Sequence, residues 1–199
     1  MTYERKDAHY RRARAEGYRA RSVYKLAELD RRWRLLRHGD AVIDLGAWPG
    51  AWLQLARERV GAEGRVVGVD LAKIEKLPAP NVAVVVGDVR EPATAEAILE
   101  RLGRPADVVL SDLAPKLTGI RATDEARSHE LNETTLALLP RLLAPGGRLV
   151  MKTFMSGDFE ATLRATRARF DEVKTTRPDA TRRGSSELYV LGLGFLADA

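Results

Sequence analysis

The chain has 199 residues, close to one domain's length, and its 45% hydrophobic and 31% charged residues exclude intrinsic disorder. It contains no cysteine, which excludes disulfides, thiolate nucleophiles and cysteine–zinc sites. The charged start and the lack of any apolar run near ~18 residues argue against a secretory signal or a membrane span and predict a cytoplasmic protein. The net charge of +5 is uneven, because residues 1–37 hold 12 Lys and Arg against 5 acids and residues 38–199 hold 21 against 23. So basic a leading segment points to a polyanionic partner, nucleic acid ahead of a membrane surface.

Two helices are predicted in that segment, over 7–16 and 21–37, with Gly17 as the break. In the second, Val23, Leu26, Ala27, Leu29, Trp33 and Leu36 recur at helical spacing. Short apolar runs follow at 41–45, 65–70, 82–86, 107–111 and 147–154, and less apolar ones at 170–175 and 187–195. Between most of them lie stretches of helical composition, at 51–60, 93–102, 124–143 and 158–169. The stretch 71–80 is too short and proline-rich for a full helix. This alternation predicts an α/β domain with a mostly parallel sheet covered on both faces. The last two runs have no helix between them and should pair antiparallel. Residues 1–37 read as a basic helical extension packed on the core, and 38–199 as the domain.

In such sheets ligands bind at the carboxyl ends of the strands, near the switch in strand order. The first strand leads into Asp44-Leu45-Gly46-Ala47-Trp48-Pro49-Gly50-Ala51-Trp52. Gly46 and Gly50 have neither the dinucleotide nor the P-loop spacing. Asp70 ends the second strand, as suits the hydroxyls of a ribose. Asp88 follows the third and Asp112 the fourth. Four acids at successive strand ends fit a ligand with a ribose, a base edge and positive charge, which favours S-adenosylmethionine over NAD. Lys152 sits in an apolar strand, where a lysine is costly unless paired, and Asp112 is a neighbour within reach; a lysine snorkelling to water is the bland alternative. Glu187 opens the last strand and either adds an acid to this group or is merely exposed. His9, His38 and His129 share no metal-ligand spacing. Beside the glycine turn, Trp48 and Trp52 could flank an adenine ring.

The segments Arg21–Leu26, Asp44–Trp52, Gly87–Arg90, Ser111–Pro115, Met151–Phe154 and Ser186–Tyr189, in this order, resemble the FtsJ family of S-adenosylmethionine-dependent RNA 2′-O-ribose methyltransferases. The resemblance covers essentially the whole chain. It implies a Rossmann-like class I methyltransferase fold with a seven-stranded, mostly parallel sheet and an antiparallel terminal strand. It implies a catalytic tetrad of Lys25, Asp112, Lys152 and Glu187, and S-adenosyl-L-methionine contacts at Gly46, Gly50, Trp52, Asp70, Asp88 and Asp112. It further implies a uridine of 23S rRNA in the large ribosomal subunit as substrate, reached through the basic N-terminal segment, with no membrane or obligate protein partner. Trp48 stands where the family usually has a small residue, Ala51 where glycine is common, Lys116-Leu117-Thr118-Gly119 where Asn-x-Ser-Gly is usual, and Ser186 where arginine often precedes the glutamate. The competing readings are the same chemistry on tRNA or another RNA, a non-catalytic RNA-binding or ribosome assembly factor, and a nicotinamide-dependent reductase.

Overall fold

The computed structural model describes residues 8–116, 118–182 and 184–197. In chain order the elements are α1 (Ala8–Ala15), α2 (Val23–Trp33), β1 (Ala41–Leu45), α3 (Ala51–Val60), β2 (Arg65–Asp70), β3 (Val82–Val86), α4 (Pro92–Leu102), β4 (Ala106–Ser111), α5 (Arg121–Leu142), β5 (Leu143–Phe154), α6 (Phe159–Arg167), β6 (Phe170–Thr176) and β7 (Glu187–Phe195). The strands form one sheet in the order β3-β2-β1-β4-β5-β7-β6. Strands β1 to β5 are parallel, and β7 enters antiparallel between β5 and β6. The expected terminal hairpin is present, with β7 as its inner strand. The order reverses between β1 and β4, which sets the ligand crevice at their carboxyl ends.

Alternating side chains divide the core. Val42, Leu110, Val150 and Leu191 face α2 and α3, where they meet Leu26, Leu29 and Leu53. Their neighbours Ile43, Val109 and Met151 face the other way, against Ile98 of α4 and Leu139 of α5. Phe159 and Leu163 of α6 close over Val190. All five residues of β1 are buried, as expected of a parallel strand covered on both faces. Helix α2 therefore belongs to the core rather than lying over it.

The second helix is shorter than the predicted 21–37. Arg34 adopts a left-handed conformation (φ 52°) and its N–H caps α2 at the Asp30 carbonyl, 2.7 Å away. The chain then doubles back, so Leu35 and Leu36 are buried from a loop, and Asp30 Oδ1 accepts the Leu36 N–H at 2.9 Å. The first helix is described from Ala8; residue 7 lies outside the described residues. As expected, residues 71–80 form no helix.

A buried ion pair fastens this loop to the sheet. Arg148 of β5 donates from Nη2 to both carboxylate oxygens of Asp40 at 3.0 Å and from Nη1 to the Leu35 carbonyl. Removing one partner of a buried pair strands the other charge, at a cost of about 3–5 kcal/mol. Urea denaturation of Arg148→Ala should show a loss of about that size; a loss below about 1 kcal/mol, the value of a surface pair, would contradict it.

Candidate active site

The same alternation that builds the core carries polar groups to the carboxyl edge of the sheet. Asp44 follows Val42, Asp112 follows Leu110 just past the end of β4, Lys152 follows Val150 and Tyr189 precedes Leu191, each by two residues on the face covered by α2 and α3, and Glu187 lies two residues before Tyr189. The antiparallel register sets Lys152 opposite Tyr189. Lys25 comes from α2, next to the fully buried Leu26.

These groups form two ion pairs with a tyrosine between them. Lys152 Nζ lies 3.0 Å from Asp112 Oδ1 and donates to the Asp112 carbonyl at 2.8 Å. Lys25 Nζ lies 2.5 Å from Glu187 Oε1. Tyr189 donates its hydroxyl to Asp112 Oδ1 at 3.0 Å, and Lys25 Nζ stands 5.9 Å from its ring centroid. Burial and the neighbouring charges of Asp112 and Glu187 push the Tyr189 phenol well above its ordinary pKa, so it remains a donor. The four residues of the expected tetrad are thus brought together, around a fifth that the sequence reading passed over.

Beside them a cavity of about 260 Å³ runs along the ends of β1, β2, β3 and β4, lined by Gly46, Asp70, Asp88 and Asp112 among others. Gly46 has φ 80°, and a Cβ there would lie 3.0 Å from the Leu113 nitrogen, so only glycine lets the turn after β1 approach the loop after β4. Asp70 is fixed by the N–H groups of Trp48 (2.9 Å) and Ala72 (2.8 Å). Asp88 is held below the usual carboxylate range by hydrogen bonds from Arg90. Asp44 differs from both. It is fully buried, neither carboxylate oxygen has a protein partner, and burial together with the charges of Asp112 and Asp70 raises its pKa well above the ordinary value.

Gly50 and Trp52 do not line this cavity. The Trp52 indole is buried against α2, where Nε1 donates to the Ser22 carbonyl at 2.9 Å, so it offers no face to an adenine. What this stretch presents instead is the first turn of α3, whose N–H groups receive no side-chain cap. Gly50 (φ 107°) is backed by Arg19, with a Cβ placed only 2.6 Å from Nη1. Arg19 donates to the carbonyls of Pro49 (3.1 Å), Glu75 (2.7 Å) and Lys76 (3.2 Å), tying the glycine turn to the segment after β2. Nothing in the sequence marks Arg19 apart from the other arginines around it.

S-adenosyl-L-methionine fits these residues. The cavity brings the carboxylates of Asp70, Asp88 and Asp112 together, a lining that suits a ligand carrying ribose hydroxyls and a positive charge, and the uncapped first turn of α3 offers N–H groups suited to a carboxylate.

The fold and this crevice define a Rossmann-like methyltransferase, with S-adenosyl-L-methionine as cofactor. Residues 18–195 match the FtsJ-like methyltransferase family, and the chain belongs to that family. It is 46% identical over 97% of its length to the ribosomal RNA large subunit methyltransferase E of Syntrophobacter fumaroxidans, covering 98% of that protein. It is 47% identical over 96% of its length to the enzyme of the same name from Sorangium cellulosum, covering 89% of it. Among solved structures, a Plasmodium falciparum protein designated a ribosomal RNA methyltransferase superposes with a TM-score of 0.81 at 25% identity, over 90% of this chain and 99% of that one. Aeropyrum pernix fibrillarin, with natively bound S-adenosyl-L-methionine, shares the fold with a TM-score of 0.62 at 16% identity, over 86% of this chain and 76% of that one.

Asp44 gives the site a pH signature. Because its folded pKa is raised, the folded chain keeps a proton that the unfolded chain releases near pH 4, and stability falls as pH rises through the folded value. In the cofactor-free protein, the Tm of Asp44→Asn minus that of the wild type should therefore grow as pH rises above about 4. A difference independent of pH would contradict the raised value.

Proposed function

We propose that the chain methylates the 2′-hydroxyl of a ribose in RNA, the target being a uridine of 23S rRNA in the large ribosomal subunit. The observation that carries this reading is the Lys152–Asp112 pair at the edge of the cofactor crevice, with Lys25 and Glu187 beside it. The family membership and the names of the relatives support the same substrate class.

Bound S-adenosyl-L-methionine supplies an electrophilic methyl group on a sulfonium. A ribose hydroxyl is a poor nucleophile at neutral pH, so the protein must stabilise charge on its oxygen as the proton leaves. Lys152 has three donor hydrogens; one goes to the Asp112 carbonyl, and the ammonium pairs with Asp112 Oδ1. A remaining hydrogen faces the 2′-oxygen, beside which the ammonium stabilises the developing negative charge. The hydroxyl proton passes to water, and the O–CH3 bond forms as the S–CH3 bond breaks, leaving the sulfonium as the neutral thioether. Asp112 aims Lys152 and Tyr189 aims Asp112. Lys25 and Glu187, largely buried beside them, position the ribose through their remaining donors and acceptors.

The basic segment 1–37 supplies phosphate contacts, which hold RNA without reading its sequence. Selectivity then comes from the shape of a folded RNA. No helix among the described residues is long and apolar enough to cross a membrane. A substrate on the ribosome supports a cytoplasmic enzyme.

Large ribosomal subunits lacking native ribose methylation, incubated with labelled cofactor, should take label at one uridine 2′-oxygen. Lys152→Ala should slow this by about a hundred- to ten-thousand-fold, the range for a lost acid–base or charge-stabilising group. Label on tRNA alone would move the substrate, and turnover within tenfold of wild type in Lys152→Ala would overturn the role given to that lysine.

A further inference from the structure

Trp48 is 60% exposed, although its neighbours in the glycine turn are fixed. Its own N–H is bound by Asp70 Oδ2, and the Pro49 carbonyl by Arg19. The indole thus stands on a rigid backbone at the carboxyl edge of the sheet. It lines the cofactor cavity and also a second, more open hollow of about 580 Å³. That hollow lies between α1 and the segment after β2, and its walls include Arg14, Tyr18, Arg19 and Lys73, with Glu75 as the one acid. Arg19 is spent on three carbonyls. Arg14 and Lys73 are exposed and have no ion pair or side-chain hydrogen bond among the described residues. Tyr18 is anchored by its hydroxyl to Glu58 at 2.8 Å, which leaves its ring as wall.

We infer that this hollow is a subsite for one unpaired nucleotide of the RNA, its base stacked on Trp48 and its flanking phosphates held by Arg14 and Lys73. An exposed indole on a fixed backbone, beside two uncommitted cations, suits single-stranded nucleic acid, because every base has a π-face and every linkage a negative charge. An acidic peptide would satisfy the cations but leave the indole without a flat partner. A single apolar residue ringed by charge is likewise a poor seat for lipid. The subsite rests on the RNA reading above and adds to it. The RNA is gripped on the outer face of the cofactor turn as well as at the tetrad, and the indole shared by the two cavities makes the grip adjoin the cofactor.

The test measures binding of a short uridine-containing single-stranded oligoribonucleotide and of 23S rRNA, with cofactor binding in parallel. Trp48→Ala should weaken RNA binding roughly five- to hundred-fold and Trp48→Phe much less, as for the loss of one stacked base. RNA should quench wild-type indole fluorescence more than that of Trp48→Phe. The Arg14→Ala, Lys73→Ala double variant should lower the salt slope of RNA binding by about 0.7 for each lost phosphate contact. Unchanged RNA affinity in Trp48→Ala would overturn the subsite while leaving methylation of RNA intact. Equal loss of cofactor and RNA affinity would make Trp48 part of the cofactor wall only. Quenching by assembled subunits but not by RNA would assign the hollow to a ribosomal protein. A wild-type chain that bound no RNA would overturn the function itself along with the subsite.

Discussion

Asp112 joins the charged cluster to the cavity beside it. Its Oδ1 takes the Lys152 ammonium and the Tyr189 hydroxyl, each at 3.0 Å, while the residue also lines the cofactor cavity. A buried lysine needs such a partner to stay charged in the interior. The turn after β1 must therefore come close to the loop after β4, and Gly46 is what permits the approach. The strand order that brings β1 beside β4, and β7 beside β5, follows from the same need to bring distant segments to one edge.

The N-terminal segment is built into the same site that the proposed chemistry uses. Leu26 and Leu29 anchor α2 in the core on the face opposite α4 and α5, and the same helix presents Lys25 to Glu187. Arg19 lies six residues earlier and braces the cofactor turn through three carbonyls. An RNA held by this segment is held by a part of the protein that also shapes the cofactor site. The excess positive charge is thus concentrated on the elements that frame the crevice.

Much of this was legible in the sequence, for a definite reason. Strands buried on both faces are almost wholly apolar, so the acids at the strand ends and Lys152 stood out as charges that needed an explanation, while the face they share came from the fold. Lys25 carried no comparable signal, and Glu187 only an ambiguous one. One sits in an amphipathic helix full of cations and the other opens a strand, so their pairing emerged through the family resemblance and then from the fold. Tyr189 was hidden because a tyrosine in a strand reads as ordinary core until its hydroxyl has a named partner. Arg19 was hidden by its surroundings, since one structural arginine among many solvated ones has no local mark. Trp52 misled in the opposite direction, because adjacency to the glycine turn says nothing about which way a helical side chain points, and its indole points into the core. The early end of α2 depends on Arg34 adopting a left-handed conformation, which helical periodicity does not reveal.

That the two ion pairs act as one unit through Tyr189 is most directly tested by a double-mutant cycle on single-turnover methylation, using Tyr189→Phe and Glu187→Gln. If the hydroxyl and the Lys25–Glu187 pair position the same ribose through Asp112 and Lys152, the double variant loses clearly less than the product of the two single losses. Losses that multiply would mean that the pairs work independently and would contradict the account.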